Sequence, residues 1–220
     1  MLKLTCSLMR LLFSIIIPVY NSERYISNSV KSVLKQKFSK KKYEIILIND
    51  CSTDNSRSII NKIKQKFSNI IVINNKRNKK VSYCRNIGIK KAAGEYIIFL
   101  DSDDELKRNA LTDIAKIINK NRILNLILCL QFKSNKLLIR KKTKRKLNTV
   151  EKFLNYENKK KIYNPNCWNM ILRRRFLLEK KIFFKEIDIF EDQVFCTEVL
   201  FNLDKLKIFS GTFHDYIQRP

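Results

Sequence analysis

The chain has 220 residues, of which 45% are apolar or aromatic and 30% are charged. This is enough for one substantial core and excludes a disordered or purely fibrous protein. The formal charge of +26 brings nucleic acid to mind first, while the only glycines, Gly88, Gly94 and Gly211, leave no G-x-G-x-x-G turn and no G-x-x-x-x-G-K-[ST] loop to cradle phosphate.

Residues 1–20 carry Lys3 and Arg10 ahead of an apolar run at 11–19. The run resembles a signal peptide without its cleavage site, but it is too short to span a bilayer and continues into Pro18-Val19-Tyr20-Asn21. It reads as a buried first strand at 13–19, in a protein expected in the cytoplasm. A helix follows over 22–36, with Ile26, Val30, Val33 and Leu34 on one face and Ser22 as its N-cap. Strands at 43–48, 70–73 and 96–100 then alternate with helices marked by Ile59, Ile60, Ile63 and Phe67 and by residues 81–93, the latter closed by Gly94. Leu111, Ile114, Ala115 and Ile118 define a fourth helix, preceded by a capping turn at 103–109, and 123–132 is a further strand. Residues 133–161 are basic and Asn-rich, with one weak helix near 150–155, and form a junction. Beyond it come a strand at 167–172, a helix at 191–201 and a strand at 206–213. Alternating strands and helices predict an α/β fold with a Rossmann-like mixed, mostly parallel sheet flanked by helices. A first portion would cover 1–132, and a smaller second portion 133–220, within one compact domain.

The six cysteines, never closer than 29 positions, offer no C-x-x-C pair for zinc and read as reduced thiols. The positive charge is uneven. Residues 1–100 hold 20 basic and 5 acidic groups, 101–132 hold 5 and 5, and 162–220 hold 9 and 8. The carboxylates therefore sit where the excess vanishes. Lys, Asn and Ile are abundant along the whole chain, as in a general compositional drift, so weak attraction to an anionic membrane surface is expected rather than specific nucleic-acid binding.

Ligands of open α/β sheets lie beyond the carboxyl ends of the strands. Asp50 ends the second strand, and Asp101-Ser102-Asp103-Asp104 ends the fourth. Clustered carboxylates repel unless they share a cation, and their oxygens suit Mg²⁺ or Mn²⁺. By themselves they fit a helix N-cap equally well.

Four segments give them a context: Phe13-Ser-Ile-Ile-Ile-Pro-Val-Tyr-Asn21, Glu44-Ile-Ile-Leu-Ile-Asn-Asp-Cys-Ser-Thr-Asp-Asn-Ser56, Cys84-Arg-Asn-Ile-Gly88 and Ala93-Gly-Glu-Tyr-Ile-Ile-Phe-Leu-Asp-Ser-Asp-Asp104. In this order they closely resemble the family 2 glycosyltransferases of the GT-A fold. Cys51 stands where a glycine is usual, which narrows the freedom of that turn. The resemblance implies a nucleotide-sugar donor, a divalent metal and inversion at the anomeric carbon. Pro18, Val19, Tyr20, Asn21 and Glu23 would line the nucleoside slot together with Ser52, and Asp50 would accept from a uracil ring N–H. Arg85 would pair with the diphosphate, Asn86 would orient its loop, and Asp101, Ser102 and Asp103 would supply the metal and donor side.

Past the junction, residues 167–178 resemble the strand and short helix ahead of the acceptor side. Phe190-Glu-Asp-Gln-Val-Phe195 matches an E-D-x-x-F element that assigns Asp192 as catalytic base. Flanked by Phe190 and Phe195, this carboxylate would be partly desolvated and more basic. The bland alternative has Glu191 and Asp192 serving first-turn amides. His214, the only histidine, lies in a stretch that resembles one closing over the donor diphosphate, where it can be a third metal ligand. The implied activity is transfer of a sugar from a UDP-sugar to a hydroxyl of a growing bacterial surface glycan carried on lipid. Three rivals stand beside it: metal-dependent nucleotidyl transfer, a basic nucleic-acid-binding module, and a truncated, inactive transferase that still binds donor.

Overall fold

The computed structural model describes residues 11–120, 124–130, 166–203, 207–210 and 213–215. The basic junction and its expected helix at 150–155 lie outside the described residues, as do Gly211 and residues 1–10. Seven of the described strands form one sheet: β1 (Phe13–Val19), β2 (Tyr43–Asn49), β3 (Ile70–Asn74), β4 (Tyr96–Phe99), β6 (Leu126–Leu130), β7 (Met170–Arg173) and β8 (Lys207–Ser210). Their order is β3-β2-β1-β4-β7-β6-β8. The first four are mutually parallel, β7 is antiparallel to both β4 and β6, and β8 runs parallel to β6. This is the mixed, mostly parallel α/β sheet that the alternating pattern predicts.

The strands are nearly continuous apolar runs because helices cover both faces. Successive side chains point to opposite faces, so Ile15, Ile17 and Val19 enter one core while Ile16 enters the other. The first core takes Ile26, Val30 and Val33 from α1 (Ile26–Leu34), Ile60 from α2 (Ser56–Lys64), and Leu111 and Ile114 from α4 (Ala110–Lys120). The second takes Cys84 and Ile89 from α3 (Lys80–Lys91), Phe176 and Leu177 from α5 (Arg174–Glu179), and Phe195 and Val199 from α6 (Glu191–Phe201).

Several local expectations are corrected. Ser22 does not cap the first helix, whose N-cap is Tyr25 without a side-chain cap bond. The Ser22 hydroxyl is instead 2.7 Å from the Ser102 hydroxyl and donates to the Tyr20 carbonyl. Gly94 does not act as a left-handed helix terminator, since α3 already ends in extended backbone at Ala92. It is needed because a Cβ there would lie 2.5–2.6 Å from the Phe13 carbonyl carbon and the Ser14 nitrogen and Oγ, closer than real contacts allow. The strand expected at 167–172 opens with a 3₁₀ turn at Cys167–Asn169 and becomes β7 at Met170. The strand expected at 206–213 is β8 (Lys207–Ser210), and after it the two-residue β9 (His214–Asp215) pairs antiparallel with β5 (Glu105–Leu106), a pairing that the expected capping turn at 103–109 missed.

Candidate active site

Chain order places the winding reversal between β1 and β4, and beyond the carboxyl ends of these strands lies a cavity of about 500 Å³. Its lining comes from three strand ends and one helix start: Pro18, Val19 and Tyr20 after β1, Asp50 after β2, Asp101, Ser102 and Asp103 after β4, and Asn78, Lys80, Val81 and Cys84 at the entry of α3. A backbone bond from the Asp104 amide to the Asp101 carbonyl closes the turn that carries the two lining carboxylates.

Asp50 is buried, and its carboxylate ties the cavity to the basic loop after β3. Its Oδ1 accepts from Asn75 Nδ2 at 2.7 Å and from the Lys79 amide at 2.9 Å, and its Oδ2 accepts from that amide at 3.1 Å. Asn21, Glu23 and Ser52, expected in the nucleoside slot, are not among the residues lining the cavity and hold loops together. Asn21 Oδ1 accepts from the amide and hydroxyl of Thr53, its own amide donates to Ser52 Oγ, and Glu23 Oε2 accepts from the amide and side chain of Asn55. Cys51 adopts φ 59°, the left-handed region where glycine has no Cβ penalty.

Arg85 departs most from the expected pairing with diphosphate. Only 4% of its side chain is exposed, and its guanidinium is shared among three carboxylates: Asp101 at 3.1 Å, Asp192 at 2.7 Å and Glu191 at 3.4 Å. Its plane lies 5.2 Å from the Phe184 ring centre, and Phe184 stacks on Phe195 at 3.8 Å with Phe99 edge-on to both. Burial works against the cation, but the neighbouring Cys167 sulfur, Asp101 and Asp192 outweigh it and hold Arg85 above its ordinary value. Burial pushes the Asp192 carboxyl up, Arg85 opposes that rise, and the charges of Asp101 and Glu191 add to it. Cys84 is a neutral thiol, pushed up to about 12 by burial and by Asp50.

Asn86 locks the partner segment. Its side-chain amide donates to the Phe184 carbonyl and accepts from the Phe184 nitrogen, each at 2.8 Å. Phe195 is fully buried, as a desolvating neighbour requires, whereas Phe190 is 62% exposed and does not wall in Asp192. The pairing of β9 with β5 sets the backbone of His214 opposite Leu106, three residues beyond Asp103. Among the described residues no group of three His, Cys, Asp or Glu side chains is arranged to hold a metal ion. Sequence reasoning missed Glu191 as a partner of Arg85 and the loop 75–80 as a wall of the cavity. The run Asn74-Asn-Lys-Arg-Asn-Lys-Lys80 directly after a strand is the signal that pointed to the loop.

The family model for glycosyl transferase family 2 matches residues 14–181, including β1, β4 and the Arg85 helix. The chain belongs to glycosyl transferase family 2. It is 29% identical over 215 residues to the poly(ribitol-phosphate) β-N-acetylglucosaminyltransferase TarS of Staphylococcus aureus, covering 93% of this chain and 35% of TarS. It is also 31% identical over 192 residues to the minor teichoic acid biosynthesis protein GgaA of Bacillus subtilis, covering 86% of this chain and 43% of GgaA. The chain thus spans about a third to two fifths of these relatives. The crystal structure of S. aureus TarS 1-349 in complex with UDP-GlcNAc superposes with a TM-score of 0.78 at 28% identity, over 96% of this chain and 59% of that one. The fold is accordingly GT-A. No helix among the described residues is long and apolar enough to cross a membrane.

Proposed function

We propose that the chain carries the donor-binding and catalytic part of an inverting transferase. It would move a sugar from a UDP-sugar to a hydroxyl of a lipid-carried bacterial surface polymer of the teichoic-acid type. The observation that carries this reading is Arg85, whose one buried guanidinium joins a carboxylate of the cavity wall, Asp101, to Asp192 on α6. Support for UDP and for a polyol-phosphate acceptor comes from the relatives named above.

The nucleoside would occupy the space between Tyr20, Asp50 and the loop 75–80. Asp50 already accepts from Asn75 Nδ2 on Oδ1 and from the Lys79 amide, which its two oxygens share, and Oδ2, the less engaged oxygen of the two, would accept from a ring N–H. The oxygen-only donors Asp101 and Asp103 line one cavity wall and fit Mg²⁺ or Mn²⁺, with diphosphate oxygens and water as further ligands, and the sequence resemblance alone would add His214. Such a cation, when bound, would neutralise the leaving diphosphate.

Asp192 would take the proton from the acceptor hydroxyl as that oxygen attacks the anomeric carbon. Arg85 would hold the carboxylate in place and Glu191 would balance the charge. Inversion follows from a single displacement with the base and the leaving group on opposite faces of the ring. The basic exterior would give weak attraction to anionic headgroups.

A panel of UDP-, GDP- and ADP-sugars incubated with Mn²⁺ tests the reading. UDP release from one or more UDP-sugars, with little from the others, is the expected result, and indifference to the base contradicts it.

A further inference from the structure

The sequence resemblance reserves Arg85 for the donor diphosphate, but the folded chain engages it elsewhere. Its guanidinium is held by Asp101, Asp192 and Glu191, and Arg85 is not among the residues lining the cavity. Among the described residues, the charged groups that do line the cavity are three carboxylates, Asp50, Asp101 and Asp103, and one ammonium, Lys80. Lys80 is the first residue of α3. Its amide donates to Asn78 Oδ1 at 3.1 Å, and Asp50 accepts from the preceding Lys79 amide, so the side chain leaves a backbone that is fixed on both sides of the junction. The ammonium pairs with Asp188, on the segment that leads into α6.

We infer, on the transferase reading proposed above, that Lys80 is the side chain that meets the donor's diphosphate, and that it exchanges Asp188 for a phosphate oxygen when the nucleotide enters. The existing pair is weak enough to exchange. Its side chains are 66% and 74% exposed, and pairs so exposed contribute little, because water screens them and two mobile side chains must be held in one geometry. A diphosphate presents more than one negative charge in place of one, and it does so inside a concave site where water is partly excluded and the attraction is stronger. Asp188, released into solvent, is readily hydrated. Lysine also suits the task by its shape: a compact charge on a flexible stem moves between two acceptors without needing a bidentate partner. Arg85, fixed by three carboxylates and lying against the Phe184 ring, has no such freedom.

The test compares UDP, by calorimetry with Mg²⁺ present, with uridine, by NMR titration, since uridine shares the base and ribose but lacks phosphate. Lys80→Met keeps the stem and the Cβ on the same left-handed backbone, φ 66°. It is expected to weaken UDP by about tenfold while uridine stays within about twofold. Lys80→Arg should retain most of the UDP affinity. Asp188→Asn frees the ammonium and should tighten UDP by about two- to fivefold, a gain that disappears in the Lys80→Met background. Lys185→Met removes a charge from the same segment outside the cavity lining, and should change UDP affinity by less than about twofold.

A wild type that binds neither UDP nor uridine contradicts the transferase reading itself. With UDP bound, three results overturn the role of Lys80 alone: uridine held as tightly as UDP, a Lys80→Met variant that leaves UDP unchanged or weakens both ligands alike, or an equal loss in Lys185→Met. A gain in Asp188→Asn that persists in the Lys80→Met background overturns the exchange, because it then reflects the charge of Asp188 by itself.

Discussion

At the residue scale, Cys51 and Asp192 show how one side chain carries a definite expectation. Cys51 stands at φ 59°, and a left-handed backbone costs a residue with a Cβ roughly 1–2 kcal/mol. Cys51→Gly is therefore expected to raise stability by about 1 kcal/mol in denaturant unfolding, with UDP affinity unchanged. A loss of stability would mean that the sulfur contact to the Lys76 carbonyl, at 3.7 Å, outweighs the strain. The Asp192 carboxyl is raised from its ordinary value by burial, with Arg85 opposing and Asp101 and Glu191 adding. Its contribution to stability is present below the unfolded-state value and is lost as pH rises through the folded-state value. Activity follows the opposite sense, because the base works only when ionised, so kcat/KM should fall on the acid side with a limb above the ordinary aspartate range. Asp192→Asn should lower kcat by about 10²–10⁴-fold and leave UDP binding intact, whereas Glu191→Gln should cost less. Equal losses in binding and turnover would remove Asp192 from the role of base. The E-D-x-x-F pattern singles out Asp192 in the sequence, and the structure sets its carboxylate 2.7 Å from Arg85. The three-way sharing of Arg85 was not legible there, because its partners lie 16, 106 and 107 positions away and only folding brings them together.

At the scale of elements, α3 is the hinge of the site. Its first turn lines the cavity, Arg85 reaches β4 and α6 from its middle, and Asn86 grips the segment that carries Phe184. Removing one partner of a buried ion pair leaves charge without compensation and costs about 3–5 kcal/mol. The carboxylates here are 17–32% exposed, so Arg85→Met is expected near the lower end, about 3 kcal/mol, with partial rescue by Arg85→Lys. Destabilisation below about 1 kcal/mol would show that the cluster is solvated. Gly94→Ala should cost about 1–3 kcal/mol by overpacking, because the added carbon meets the backbone of β1 at 2.5–2.6 Å and a strand at the sheet centre cannot yield. Strand and helix existence was readable from the apolar periods, since β1, β2 and β4 fall where uninterrupted Ile, Leu and Phe occur. Helix starts were not. Ser22 looks like a cap, but its hydroxyl is taken by Ser102 eighty residues on, and the first helical turn begins later. The β5–β9 pairing was equally hidden, because two residues carry no period.

At the scale of the whole molecule, the carboxyl ends of the strands gather Asp50, Asp101 and Asp103 at one cavity, with Lys80 in its wall and Arg85 bonded to Asp101, while the chain as a whole carries a formal charge of +26. Such a distribution favours weak, salt-sensitive association with polyanions. Binding to duplex DNA should accordingly vanish near physiological salt, and tight sequence-selective binding there would favour the nucleic-acid reading. Donor binding should weaken greatly in EDTA and in Asp103→Asn, and equal calorimetric affinities with and without Mn²⁺ would remove the metal from the account. The most direct test of the central claim follows the sugar itself: the protein is incubated with a UDP-sugar, Mn²⁺ and a ribitol-phosphate acceptor, and both products are resolved by mass spectrometry and NMR. The account predicts free UDP and a new glycosidic bond of inverted anomeric configuration, both falling together by about 10²–10⁴-fold in Asp192→Asn. Release of pyrophosphate, or a product that keeps the donor's configuration, would contradict it.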